Sequence, residues 1–136
     1  MSNCIFCSIV AKSAPSYTVY EDTETMAFLD IMPCVPGHTV VIPKKHGLTI
    51  HDYSHEELGL LMDTVKKVAS GLEKAYKTEI LTIGINHGEP TGVPHLHFHV
   101  LPRSPKDQGG VIQSVVQQKG NDTLTESQER IAKALS

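Results

Sequence analysis

Between Pro94 and Arg103 the chain alternates strictly: His95, His97 and His99 stand at every second position, with Leu96, Phe98 and Val100 between them. That is the period of a half-buried β-strand, in which side chains at i, i+2 and i+4 leave one face. The pattern predicts one row of three imidazoles, with the apolar partners turned to the core. Upstream, 17–21 and 25–29 are short strand-like runs, and Asp22-Thr23-Glu24 fits the hairpin loop between them. The Pro/Gly-punctuated segment Pro33-Cys34-Val35-Pro36-Gly37 leads into a third strand at 38–42, which Pro43 ends or marks as an edge.

A helical period takes over after Ser54. Ser54 and Glu57 form a capping box, and Leu58, Leu61, Met62, Val65, Val68, Ala69 and Leu72 make one apolar stripe. This stripe is packing. A fourth strand is expected at 79–86, then a Gly/Pro-rich loop from His87 to Pro94, then the histidine strand. A helix of about two turns from the cap candidate Thr125 to Leu135 closes the chain. Together these elements predict an α+β fold: a five-stranded, largely antiparallel sheet with one long helix packed on it and a short C-terminal helix.

Length and composition narrow the class. At 136 residues, one domain is the default. The net charge of −3 disfavours a primary partner among nucleic acids or anionic membranes, both of which need a basic surface. No apolar run has membrane-span length, and 5–10 is too short and broken for a signal peptide, so a cytoplasmic location is expected. Three cysteines without a secretory signal argue against a disulfide framework. Cys4-Ile5-Phe6-Cys7 is a C-x-x-C pair, half of a zinc site or a redox pair. The redox reading needs a strand before the pair. None precedes it, so zinc is favoured if two more ligands are found.

Neutral imidazole is a nucleophile, a base, a hydrogen-bond donor and a metal ligand near neutral pH, so a row of three points to function. As three ligands of one catalytic metal the row is poorly spaced, because successive same-face strand positions lie some 6–7 Å apart. The stretch His95-Leu96-His97-Phe98-His99-Val100-Leu101 resembles the signature of the histidine triad family of nucleotide hydrolases and transferases, and the likeness runs from Cys4 to about Arg103. Residues 4–103 would then be the core of a single domain and 104–136 a C-terminal extension.

The resemblance implies a site. Structural zinc would be held by Cys4, Cys7, His46 and His95. His97 would be the nucleophile, attacking the α-phosphorus of a nucleotide and forming a covalent nucleotidyl-imidazole, with His99 and His38 on the phosphate oxygens. Ile5, Phe6, Phe28 and Ile31 would wall the base, Asp30 would accept the ribose hydroxyls, and Asn86 would contact phosphate or leaving group. An acid placed between Leu29 and Ile31 is awkward to bury without such a partner. The loop from Asn86 to His95 departs from the family: it lacks a Gly-Gln pair and is about two residues short. Thr91, or the Gly88 and Gly92 amides, would replace the missing donors, and His87 is read first as an exposed loop histidine, with contact to the leaving group as the alternative.

The expected activity, on this resemblance, is release of a purine nucleoside monophosphate, AMP foremost, from phosphoramidate-type substrates by a homodimer without a catalytic metal. A dinucleoside polyphosphate hydrolase, which the Val100-Leu101-Pro102-Arg103 ending tolerates, is one alternative; Arg103 would serve a second phosphate or simply be surface. A non-catalytic nucleotide-binding protein is another.

Overall fold

A computed structural model describes residues 3–88 and 92–136. Its elements are helix α1 (Ile5–Val10), strands β1 (Thr18–Glu21), β2 (Thr25–Leu29) and β3 (Thr39–Pro43), helix α2 (His55–Tyr76), strands β4 (Leu81–Gly84) and β5 (Phe98–Pro102), and helix α3 (Leu124–Leu135). Single 3-10 turns stand at Ile50–Asp52 and Ile112–Ser114. The five strands form one antiparallel sheet in the order β1-β2-β3-β5-β4. The α+β expectation stands.

Local chemistry explains most boundaries. Asp22 turns β1 into β2 because its Oδ1 accepts the backbone N–H groups of Glu24 and Thr25 at 2.9 and 2.8 Å. The Ser54–Glu57 capping box is formed in both directions, satisfying two amide donors at the α2 N-terminus. Lys77 ends that helix in the left-handed conformation.

The alternation in β5 sorts the two sheet faces. Val41 lies opposite Phe98, and with Ala27, Leu96 and Val100 it packs on Leu61, Val65, Val68 and Leu72 of α2. Val40 lies opposite His99, and with Met26, Phe28 and Ile42 it packs on Ile9 and Phe6 of α1. Each fully buried aliphatic side chain contributes about 1.5–3 kcal/mol of transfer free energy. The α2 face is closed by such side chains. The α1 face is only partly closed.

Four expectations change. Helix α1 was not foreseen; six residues are too few to show a helical period. Strand β5 begins at Phe98, not at His95, because the backbone before it leaves the ladder: the Leu96 amide donates to the Gly47 carbonyl at 2.8 Å, on the loop after β3. Helix α3 starts at Leu124 and runs for twelve residues, since the capping box is Thr123 with Glu126, so Thr125 is not its cap. Strand β4 is shorter than 79–86, because only Leu81–Gly84 meet partners on β5.

Candidate active site

The C-x-x-C pair opens the site. Cys4 caps α1, its Sγ accepting the Cys7 amide at 3.4 Å. From there the Sγ of Cys4 and that of Cys7 lie 3.5 and 3.6 Å from Nδ1 of His95, and Cys7 Sγ lies 3.2 Å from Nδ1 of His46. All four ligand atoms are within 4.8 Å of one another. A tetrahedral zinc with ordinary Zn–S and Zn–N bonds sets sulfur and nitrogen about 3.5 Å apart.

Protonation agrees with a cation there. The buried His95 donates Nε2–H to the Pro43 carbonyl at 2.7 Å, so its Nδ1 lone pair faces the sulfurs. Burial holds its pKa below 6.5 and keeps the ring neutral. Burial and the neighbouring Cys4 thiol push the Cys7 thiol up, a cost that a bound cation removes. The residues fit zinc, with donor types and spacings of a closed structural site.

His97 is bound the opposite way. Its Nδ1 lies 2.6 Å from the His95 carbonyl, an oxygen that can only accept, so Nδ1 carries the proton and Nε2 carries the lone pair. The Phe6 ring stands edge-on to it, centroids 5.3 Å apart.

His38 and His99 complete the row. His38 is the residue just before β3. The Cys34 amide donates to His38 Nδ1 at 3.2 Å, so His38 carries its proton on Nε2 and donates it to His99 Nδ1 at 2.8 Å. A neutral His99 is thereby protonated at Nε2. Asp30 Oδ2 lies 3.4 Å from the same His38 nitrogen, while its Oδ1 accepts the Met32 amide at 2.8 Å. Burial lowers the His38 pKa, against the opposing pull of Asp30. Asp30, His38 and His99 also converge within 4.8 Å. They form a hydrogen-bonded relay: with Nδ1 taken by the Cys34 amide, the His38 nitrogen facing the other two carries a proton and has no lone pair for a metal. Gly37 makes this turn possible, with φ +87° and the Tyr76 ring packed where a Cβ would stand.

A cavity of about 590 Å³ opens beside His97 and His99. Its lining includes Ile5, Phe6, Phe28, Asp30, Ile31 and Asn86, which the structure brings together around one space. Phe28 serves core and wall together, 3% exposed and edge-on to Phe6 at 5.1 Å. Ile31, 78% exposed, is an apolar rim. Met32, Val40, Val93 and the Ala14–Ser16 turn also line the cavity. They were not foreseen, because the turn after α1 depends on a helix invisible to periodicity. A second cavity of about 240 Å³ shares Asn86, Val93 and His97 and takes in His87, whose ring meets His51 at 5.3 Å. Thr91 lies outside the described residues.

Arg103 does not point to this site. Its guanidinium is spent on Asp107, Thr82 Oγ1 and the Gly110 carbonyl, clamping the start of the C-terminal segment. Among the described residues no helix is long and apolar enough to cross a membrane.

An antiparallel sheet with one covered face, a histidine-lined cavity on the other and a cysteine–imidazole cluster beside it defines a small α+β protein with a candidate ligand site. Comparison with known proteins narrows this. The HIT domain family matches residues 11–106, and the chain belongs to that family. It is 35% identical over 123 residues to the adenosine 5'-monophosphoramidase of Saccharomyces cerevisiae, covering 89% of this chain and 75% of the relative. The crystal structure of a HIT family member from Bacillus subtilis superposes with a TM-score of 0.84 at 32% identity, covering 98% of this chain and 95% of the other. A Zn-bound histidine triad family protein from Mycobacterium smegmatis gives 0.74 at 30% identity, with 98% and 92% covered.

Proposed function

We propose that the protein is a nucleotide-binding hydrolase that releases a purine nucleoside monophosphate, AMP foremost, from phosphoramidate-type substrates through a covalent intermediate on His97. One observation carries the reading: the His95 carbonyl holds the His97 proton on Nδ1, leaving Nε2 as the nucleophile beside a cavity of nucleotide size. The yeast relative's activity supports the substrate class.

The base lies between Ile5, Phe6, Phe28 and Ile31, and Asp30 accepts from the ribose diol. His97 Nε2 attacks the α-phosphorus; the imidazole–phosphorus bond forms as the bond from phosphorus to the leaving nitrogen breaks, and that nitrogen takes up a proton from water to depart as the amine. His99, protonated at Nε2 through the relay from His38, faces the charge that builds on the phosphoryl oxygens. Asn86 steadies the phosphate. Water then attacks phosphorus and gives up a proton to solvent, the imidazole–phosphorus bond breaks, and the monophosphate departs with neutral His97 restored.

Cys4, Cys7, His46 and His95 would hold zinc, which would supply a fixed structural anchor there. Residues 4–103 are the catalytic unit and 104–136 an extension. β4 is an edge strand with Ile80 and Ile83 exposed beside it, which suits the homodimer that the family likeness implies. Three free thiols suit the reducing cytoplasm. The engagement of Arg103 with Asp107 leaves no cation for a second phosphate there and disfavours the polyphosphate reading.

The test is AMP release from adenosine 5'-phosphoramidate. Release by the parent and none by His97→Ala supports the reading. AMP binding without release by the parent favours the binding-only alternative.

A further inference from the structure

We infer that the Cys4–Cys7–His46–His95 cluster, once loaded with its metal, is the positioning element of the His97 nucleophile and not merely a staple for the N-terminal segment. The inference deepens the proposed function, since it rests on reading His97 as the nucleophile. Two separate arms lead from the cluster to the His97 ring.

The first arm is the backbone of His95. Its carbonyl oxygen fixes the His97 tautomer at 2.6 Å. That carbonyl lies outside the sheet ladder, which begins at Phe98. Its direction is therefore set by what anchors residue 95 itself. On one side Nε2–H donates to the Pro43 carbonyl at 2.7 Å, and on the other Nδ1 meets the two cysteine sulfurs. The amides of His95 and Leu96 add bonds to the Val93 and Gly47 carbonyls, both 2.8 Å. A bound metal would hold the ring at Nδ1 while the Pro43 carbonyl holds it at Nε2. Without the metal, Nδ1 keeps only the thiol contacts at 3.5 and 3.6 Å, in which S–H is a weak donor.

The second arm is Phe6, which lies between the two cysteine ligands in sequence. Six residues of helix are not stable on their own. The far end of α1 is held by the buried Ile9, and the near end by Cys4 and Cys7. Phe6 rides on that near end, edge-on to His97 at 5.3 Å and to Phe28 at 5.1 Å. Loss of the cysteine anchors frees one wall of the cavity and one face of the nucleophile together.

The experiment uses the full chain in three forms: parent, His46→Asn and His46→Cys, each zinc-saturated and after chelation. His46 touches both arms, Cys7 Sγ at 3.2 Å and the His95 ring at 5.2 Å between centroids, so its variants are read beside the chelated parent, which loses the metal and keeps the His46 ring. Nitrogen-15 NMR of the histidine rings reports which His97 nitrogen holds the proton, and calorimetry gives AMP affinity; neither needs turnover. The expected result is a single Nδ1–H tautomer in the loaded parent and in loaded His46→Cys. A mixture of tautomers, with AMP affinity at least about tenfold weaker, is expected for chelated parent and for His46→Asn under limiting zinc. Phe6→Leu in loaded protein should weaken AMP binding while leaving the tautomer alone.

Metal-free protein that keeps the single tautomer and full AMP affinity overturns the inference. So does global unfolding of both chelated parent and His46→Asn, which makes the metal a staple of the whole fold. Failure of the loaded parent to bind AMP counts against the proposed function, and the tautomer comparison still decides this one.

Discussion

The two faces of the sheet are built from the same strands and do opposite work. Toward α2, alternate residues of β2, β3 and β5 meet Leu61, Val65, Val68 and Leu72, and the packing is closed. Toward α1 the other alternate residues begin a core at Met26, Phe28, Val40 and Ile42, then give way to a cavity walled by Phe28, Asp30, His97 and His99. A one-residue step along β5 thus separates Val100, wholly buried, from His99, part of the relay. The difference teaches where tolerance lies. Changes on the α2 face should alter stability and spare chemistry; changes at His97 and His99 on the cavity side of the α1 face should do the reverse.

The largest effect expected is on the α1 face. His97→Ala should lower turnover by at least about a thousandfold with AMP affinity changed only a few-fold, as steady-state kinetics and calorimetry would read. Next comes the α2 face: Leu61→Ala should cost about 2–5 kcal/mol in denaturant unfolding, with the folded fraction binding AMP normally. Loss of AMP binding in that variant beyond its unfolded fraction would break the comparison. Gly37→Ala joins the two faces, because it crowds the Tyr76 ring on α2 while turning His38 toward the site. A cost of about 1–3 kcal/mol is expected, together with slower turnover.

A smaller effect is tied to pH. Burial keeps the folded-state pKa of His38 below its ordinary 6.5, so the unfolded chain takes up the proton first. Stability is unaffected above 6.5 and falls as pH drops through 6.5 toward the folded value. Melting curves of zinc-loaded protein should show this fall, shallower in His38→Gln. The smallest effect belongs to neither face. Ile131→Ser on the exposed helix α3 should move stability by less than about 0.5 kcal/mol.

Much of this was legible in the chain. The Ser54–Glu57 capping box and the stripe from Leu58 to Leu72 announced α2, and Asp22 announced the first hairpin, because caps and turns are local chemistry. Alternation from His95 to Val100 sorted the faces correctly although the ladder starts only at Phe98, since an extended backbone alternates whether or not it is paired. Helix α1 was not legible: its stability comes from the Cys4 cap and from packing of Ile9, neither of which leaves a period. Nor was the fate of Arg103, whose partners Thr82 and Gly110 meet it only through tertiary folding. The metal ligands and cavity walls were named by likeness to the histidine triad family. Spacing alone offered the C-x-x-C pair and a choice among eight histidines.

The most direct test of the account is to look for the covalent nucleotide. Protein turning over adenosine 5'-phosphoramidate, quenched in base and mapped by peptide mass spectrometry, should carry one adenylyl group on the peptide containing His97, with fragmentation placing it on that residue and none in His97→Ala. Turnover with no adduct, or an adduct placed on His99, would contradict the assignment of nucleophile and relay to their separate histidines.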